Sequence, residues 1–167
     1  SAPGAVSAAL PIPPSPDRRV SDFAGALAPA DRDRLEARLV ERERTSRNQV
    51  VVAIFRSLQG ESLEDYSVRL AEKWKVGQKG LDNGVIFLIF LEDRKMRIEV
   101  GYGLEGVLTD ATSSAILSQE VAPRFREGKI AAGIAAGLDA IDAAIKGEYR
   151  ADGRRASSRD RSIPALI

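Results

Sequence analysis

Apolar positions recur along the chain in two rhythms, and each change of rhythm marks a new element. From Pro29 to about Arg44, Leu35 and Leu39 fall one helical turn apart among charged residues, which predicts an amphipathic helix. Val50 to Phe55 is instead a continuous, β-branched run and predicts a strand covered on both faces. Ser62 opens a second helix whose Leu63, Tyr66, Leu70 and Trp74 share one face, with Asp65 placed as in a capping box. Trp74 is thereby expected in the core. Asp82-Asn83-Gly84 is a turn, and Val85 to Leu91 is a second buried strand.

Glu92-Asp93-Arg94 turns the chain into Lys95–Val100. There Met96, Ile98 and Val100 alternate with charges, so this strand has one wet face. A glycine loop, Gly101 to Gly106, follows. Thr109-Asp110 caps a helix running to about Val121, Phe125 anchors the connection, and a last helix near Lys129–Lys146 aligns Ile130, Ile134, Leu138, Ile141 and Ile145.

Two strands joined through a helix should lie parallel, while the third, reached by a hairpin, should run antiparallel. The predicted fold is an α/β, three-layer α/β/α sandwich with a small mixed β-sheet. Residues 1–19, rich in Ala and Pro, are expected to form a flexible or wrapping N-terminal arm. Residues 149–167 are expected to form a disordered Arg-rich tail or linker.

Composition narrows the chemistry more than the fold. Twenty-five basic residues balance 24 acidic ones for a net charge of +1, so no nucleic-acid field is expected. With no cysteine and no histidine, thiolate catalysis, tetrahedral zinc and imidazole mechanisms are excluded. The longest apolar run, Val85–Leu91, is too short to span a membrane. The small residues that open the chain read as what remains after a signal peptide is cut, which implies an exported, periplasmic or cell-envelope protein. If Ile163–Ile167 began a membrane span, the preceding arginines would belong on the cytoplasmic side; the tail is therefore read as a spacer.

Gly101-Tyr-Gly103-Leu-Glu-Gly106 spells a dinucleotide fingerprint, but Val107-Leu108-Thr109 separates it from the next helix and no strand completes a βαβ unit. No nucleotide is expected. The carboxylates are the better lead. Asp82 and Asn83 could simply form a turn and Asp110 could simply cap a helix. If their loops converge with that of Asp22 at one end of the sheet, their oxygens could instead serve a hard cation.

Val20-Ser-Asp22-Phe-Ala-Gly-Ala-Leu, Trp74-Lys-Val-Gly, Asp82-Asn-Gly84-Val and the run from Arg97 to Asp110 closely resemble the TPM domain, the thylakoid-lumen phosphatase-like domain, over roughly residues 20–148. The resemblance implies an exported α/β/α sandwich, often membrane-tethered, with calcium binding in some bacterial members and acid phosphatase activity described for plant ones. Carried over by motif, Asp22, Asp82, Asn83 and Asp110 become ligands of Ca2+, with Mg2+ or another hard divalent cation as alternatives, and Glu105 and Gly103 stand in a second tier. The expected function is a metal-binding accessory domain for a membrane-protein or exported partner, working as a monomer. The alternative is a metal-assisted acid phosphatase with Asp22 or Asp110 as base or nucleophile.

Overall fold

The computed structural model describes residues 9–80 and 82–150. Of the tail expected over 149–167, Tyr149 packs against the core, and residues 151–167, like the opening residues 1–8, lie outside the described residues. The chain forms β1 (Val20–Asp22), α1 (Pro29–Ser46), β2 (Gln49–Phe55), α2 (Leu63–Trp74), β3 (Gly84–Phe90) and β4 (Lys95–Val100). A 3-10 turn (Tyr102–Leu104) leads to α3 (Asp110–Ala115), which passes through a π-helical turn (Ile116–Val121) into α4 (Ala122–Arg126); α5 (Ile130–Ile145) closes the domain.

The strands lie in the order β1-β2-β3-β4, with β1, β2 and β3 parallel and β4 antiparallel to β3. Alternate residues of β2 and β3 feed two cores, as pleating requires. Val52, Ile54, Phe87 and Ile89 meet α1, the α3–α4 rod and α5 on one face. Val51, Ala53, Ile86 and Leu88 meet Tyr66, Leu70 and Trp74 of α2 on the other. The three-layer sandwich is thus present, and β2 and β3 are buried on both sides as their β-branched runs dictate.

Local signals fix the ends of several elements. Ser62 Oγ accepts from Asp65 N–H at 3.3 Å and starts α2. Arg47 and Lys75, both with left-handed backbone, stop α1 and α2. In α5, a Cβ at Gly133 would strike the Phe125 ring and one at Gly137 would strike Val121, so small residues let this helix lie against the α3–α4 rod.

One strand escapes the sequence reading: β1 is a parallel edge strand paired through Val20 to Val52 and Asp22 to Ile54. The described part of the arm also has a definite course. Residues 9–16 run in extended form over α2.

Candidate functional site

Register sorts the candidate residues between the two ends of the sheet. Gly84 opens β3 opposite Gln49, and Val100 closes β4 opposite Val85, so residues 82–84 and the loop from Gly101 share one end. There, glycines permit contacts that no side chain could enter. A Cβ on Gly84 would overlap the Val76 carbonyl, and one on Gly101 would overlap the Asp82 carbonyl. A Cβ on Gly77, whose φ is +100°, would lie 2.6 Å from the Gly84 nitrogen. Gly101 N–H donates to the Gly84 carbonyl at 2.8 Å and Gly103 N–H to the Asp82 carbonyl at 3.0 Å.

Asn83 locks this corner from inside. Its Oδ1 accepts from Gln78 N–H at 2.7 Å, its Nδ2 donates to the Arg47 carbonyl at 2.6 Å, and its own carbonyl accepts from Gln49 N–H at 3.1 Å. Gln49 Oε1 in turn accepts from Gly77 N–H at 2.7 Å. A buried amide with both ends bonded fixes the relative positions of three segments. Asp82, adjacent to it, is exposed and held at a φ of +48°.

Between the C-terminal end of α2, the 75–84 loop and the end of β4 lies an open groove of about 530 Å³, within the size range of small-ligand sites. Lys75, Lys79, Asp82 and Glu99 bring both signs of charge to it. Glu99 is engaged by Arg97 of the same strand. Among the described residues, no hydrogen bond or ion pair engages the carboxylates of Asp82, Glu105 or Asp110. Asp110 is the first residue of α3; the cap is Thr109, whose Oγ1 accepts from Thr112 N–H at 3.1 Å. The exposed Asp110 carboxylate therefore stands at the positive end of a helix without being consumed by it. Tyr102, earlier in the same loop, is 80% exposed.

Asp22 stands elsewhere. It ends β1 level with Ile54 and Ile89, whereas Asp82 precedes Gly84, so the length of β3 separates them, roughly 17 Å at a strand's rise per residue. Its carboxylate accepts from Ala24, Ala26 and Leu27 N–H at 3.2, 3.1 and 2.8 Å and shapes the turn into α1. The structure thus brings Asp82, Asn83 and the loop carrying Gly103 and Glu105 to one end of the sheet. Asp110 follows on that loop, and Asp22 lies at the opposite end.

Tested as a donor set for calcium, these residues fall short of a protein-made cage. Among the described residues, no three Asp or Glu side chains stand close enough to enclose an ion. The Asn83 oxygen is bonded within the corner and those of Asp22 within its turn. What the corner offers is exposed carboxylates and loop carbonyls, which can hold a hard cation only with water completing its shell.

Sequence reasoning missed Lys75, Lys79 and Glu99 as neighbours of Asp82. Glu99 was hidden as one of the wet residues of β4. The lysines gave no signal, because only folding carries the end of α2 to the start of β3. At the other end of the sheet a second groove, about 470 Å³, collects Arg94, Lys95 and Arg126 around Phe90, Met96 and Phe125. Ser113 is buried in α3 and its neighbour Ser114 is exposed.

The fold and this corner define a class of small α/β/α domains that present glycine-built loops at one sheet end. The TPM domain family matches residues 20–144, and the chain belongs to that family. No curated protein matches it. Among solved structures it is similar to the N-terminal domain of a protein from P. gingivalis, at 34% identity and a TM-score of 0.71, covering 78% of this chain and 83% of that one. The N-terminal domain of the cg2496 protein from Corynebacterium glutamicum shares the fold at 17% identity and a TM-score of 0.59, over 91% and 90% of the two chains. The BA42 protein from the psychrophilic Bizionia argentinensis does so at 17% and 0.58, over 87% and 94%.

Proposed function

We propose that this TPM domain is a binding domain rather than an enzyme, and that the glycine-built corner is its binding surface. The observation that carries this reading is the pairing of a rigid backbone with free side chains. Asn83 and the three close-packed glycines hold the loops, while Asp82, Asp110 and Tyr102 stay exposed on them. Groups fixed before binding lose little entropy on contact, which suits recognition. Two of the similar structures are N-terminal domains of their proteins, which supports a domain that works as a module. An exported setting, with a membrane or exported protein as that partner, completes the proposal.

Calcium enters as a ligand recruited by Asp82 and Asp110 rather than by all four residues first expected. With water supplying much of its shell, affinity is expected near 10⁻⁴–10⁻³ M, the range of extracellular modules. Calorimetric titration of the full chain with CaCl2 tests this. Asp82→Asn and Asp110→Asn should each weaken binding at least tenfold, and unchanged binding in both variants would end the assignment.

The groove that joins Lys75 and Lys79 to Asp82 favours a second reading, a metal-assisted phosphatase, since it supplies cations for a phosphoryl group beside a carboxylate. Hydrolysis of para-nitrophenyl phosphate that disappears in both Lys79→Ala and Asp82→Asn would favour it. Activity equal in the variants would discard it.

A further inference from the structure

The flank of α2 that meets residues 10–13, reaching in to the buried Trp74, carries a row of side chains aimed at peptide backbone. Arg69 Nη1 donates to the Leu10 carbonyl at 3.2 Å, Lys73 Nζ to the Ile12 carbonyl at 2.8 Å, and Trp74 Nε1 to the Pro13 carbonyl at 2.9 Å. Glu61 Oε2 accepts from Leu10 N–H at 3.0 Å, and its other oxygen pairs with Arg69, holding that guanidinium in place. Leu10 and Ile12 pack, half-buried, on the core beneath.

The bound sequence suits these partners chemically. The face offers donors to three carbonyls and one acceptor to an N–H. The three accepting carbonyls belong to Leu10, Ile12 and Pro13, while proline at 11, 13 and 14 lacks an N–H and holds φ near −65°, so the segment is extended and makes few donor demands that the face cannot meet. An aromatic N–H combined with a proline-rich strand is a recurring mode of peptide recognition. Leu10 and Ile12 keep part of their surface exposed, so the arm lies at the edge of this core and not within it.

We infer that the α2 face is a receptor for extended polypeptide of the pattern apolar-Pro-apolar-Pro, and that residues 10–13 occupy it in cis. A partner bearing that pattern binds by displacing the arm. The surface is independent of the carboxylates of the corner, so its failure would leave the proposed binding function untouched.

The chain's single tryptophan reports the site. In full-length protein, the Trp74 indole N–H resonance of the Leu10→Asp/Ile12→Asp double variant should leave its wild-type position as the arm detaches. A synthetic peptide of residues 9–16 should return it saturably, and Arg69→Ala should weaken that peptide at least fivefold. An indole unmoved by the double substitution overturns the inference, as does no return at roughly 1 mM peptide. Equal binding of a peptide with alanine at each proline also overturns it. Should the double variant fail to fold, a spin-labelled peptide added to the wild-type chain decides: broadening of the Trp74 indole supports exchange, and its absence refutes it. A dimer of the chain that free peptide cannot dissociate would assign the face to arm exchange between copies instead, against the proposal.

Discussion

Gly101 lies so close to the carbonyl of Asp82 that a single methyl group on it would overlap that oxygen, and Gly103 N–H, two residues on, donates to the same atom at 3.0 Å. The Gly101 backbone is itself ordinary, with a φ of −64°, so the demand at this position is for space and not for a left-handed turn. Gly106, the last glycine of the same motif, meets nothing within 4 Å of where its Cβ would be. Two glycines in one motif thus have different reasons to exist.

Gly101→Ala is therefore expected to destabilise the domain by about 3 kcal/mol, the upper end of overpacking costs, because the clash is with backbone that Asn83 prevents from moving. Gly106→Ala should change stability by less than about 0.5 kcal/mol. Urea unfolding of both variants checks the pair. Equal losses would mean that the loop is held by something other than the Asp82 contact.

Asn83→Ala removes the amide that joins Gln78 to Arg47 and leaves the part-buried Gln78 N–H and Arg47 carbonyl without this partner. A loss of about 3 kcal/mol is expected, roughly the penalty for stranding two such groups, again read from urea unfolding. Asn83→Asp should lose nearly as much, since the Arg47 carbonyl would then face an oxygen in place of a donor.

The helices and the three long strands were legible because each spans several turns or pleats, enough for a period to show. β1 was not: Val20-Ser21-Asp22 is too short to display alternation, and it is a strand only because β2 offers it an edge. Without β1, the place of Asp22 relative to the sheet is undetermined. Asp22 ends a strand and Asp82 precedes one, and in a parallel sheet such positions lie at opposite ends. Once β1 is recognised, the separation of the two carboxylates follows from topology alone. Lys79 could not be found this way, because its approach to Asp82 depends on where a loop falls in three dimensions, whereas Glu99 follows from the β3–β4 register.

Asp22 and Asp82 should consequently respond to substitution in opposite ways. Asp22→Ala strips three N–H groups of their acceptor and is expected to cost about 2 kcal/mol, typical of a charged hydrogen-bond acceptor in part-buried surroundings, while leaving calcium titration unchanged. Asp82→Asn should leave the melting temperature within experimental error and weaken calcium binding at least tenfold. Paired thermal melts and calorimetry distinguish the two. Loss of calcium binding in a folded Asp22 variant would restore that residue to the site.

The domain should also lose stability in acid through the contact between α1 and α5. Arg38 and Arg42 of α1 meet Asp139 and Asp142 of α5, and Lys146 adds a further bond to Asp142 at 3.0 Å. Burial raises the Asp142 pKa, but the hydrogen bonds and charges of Lys146 and Arg42 outweigh it and hold the carboxyl below its ordinary value of 3.8. A group whose folded pKa is depressed contributes stability above its unfolded value and loses that contribution as pH falls through 3.8 toward the folded one. Asp142→Asn should therefore melt lower than wild type at pH 7, while the difference between the two shrinks as the pH is brought to about 3. The effect should be modest, about 1 kcal/mol, because the pair is partly solvated, and 1 M NaCl should reduce it further. A constant difference across that range would show that Asp142 acts through packing rather than charge.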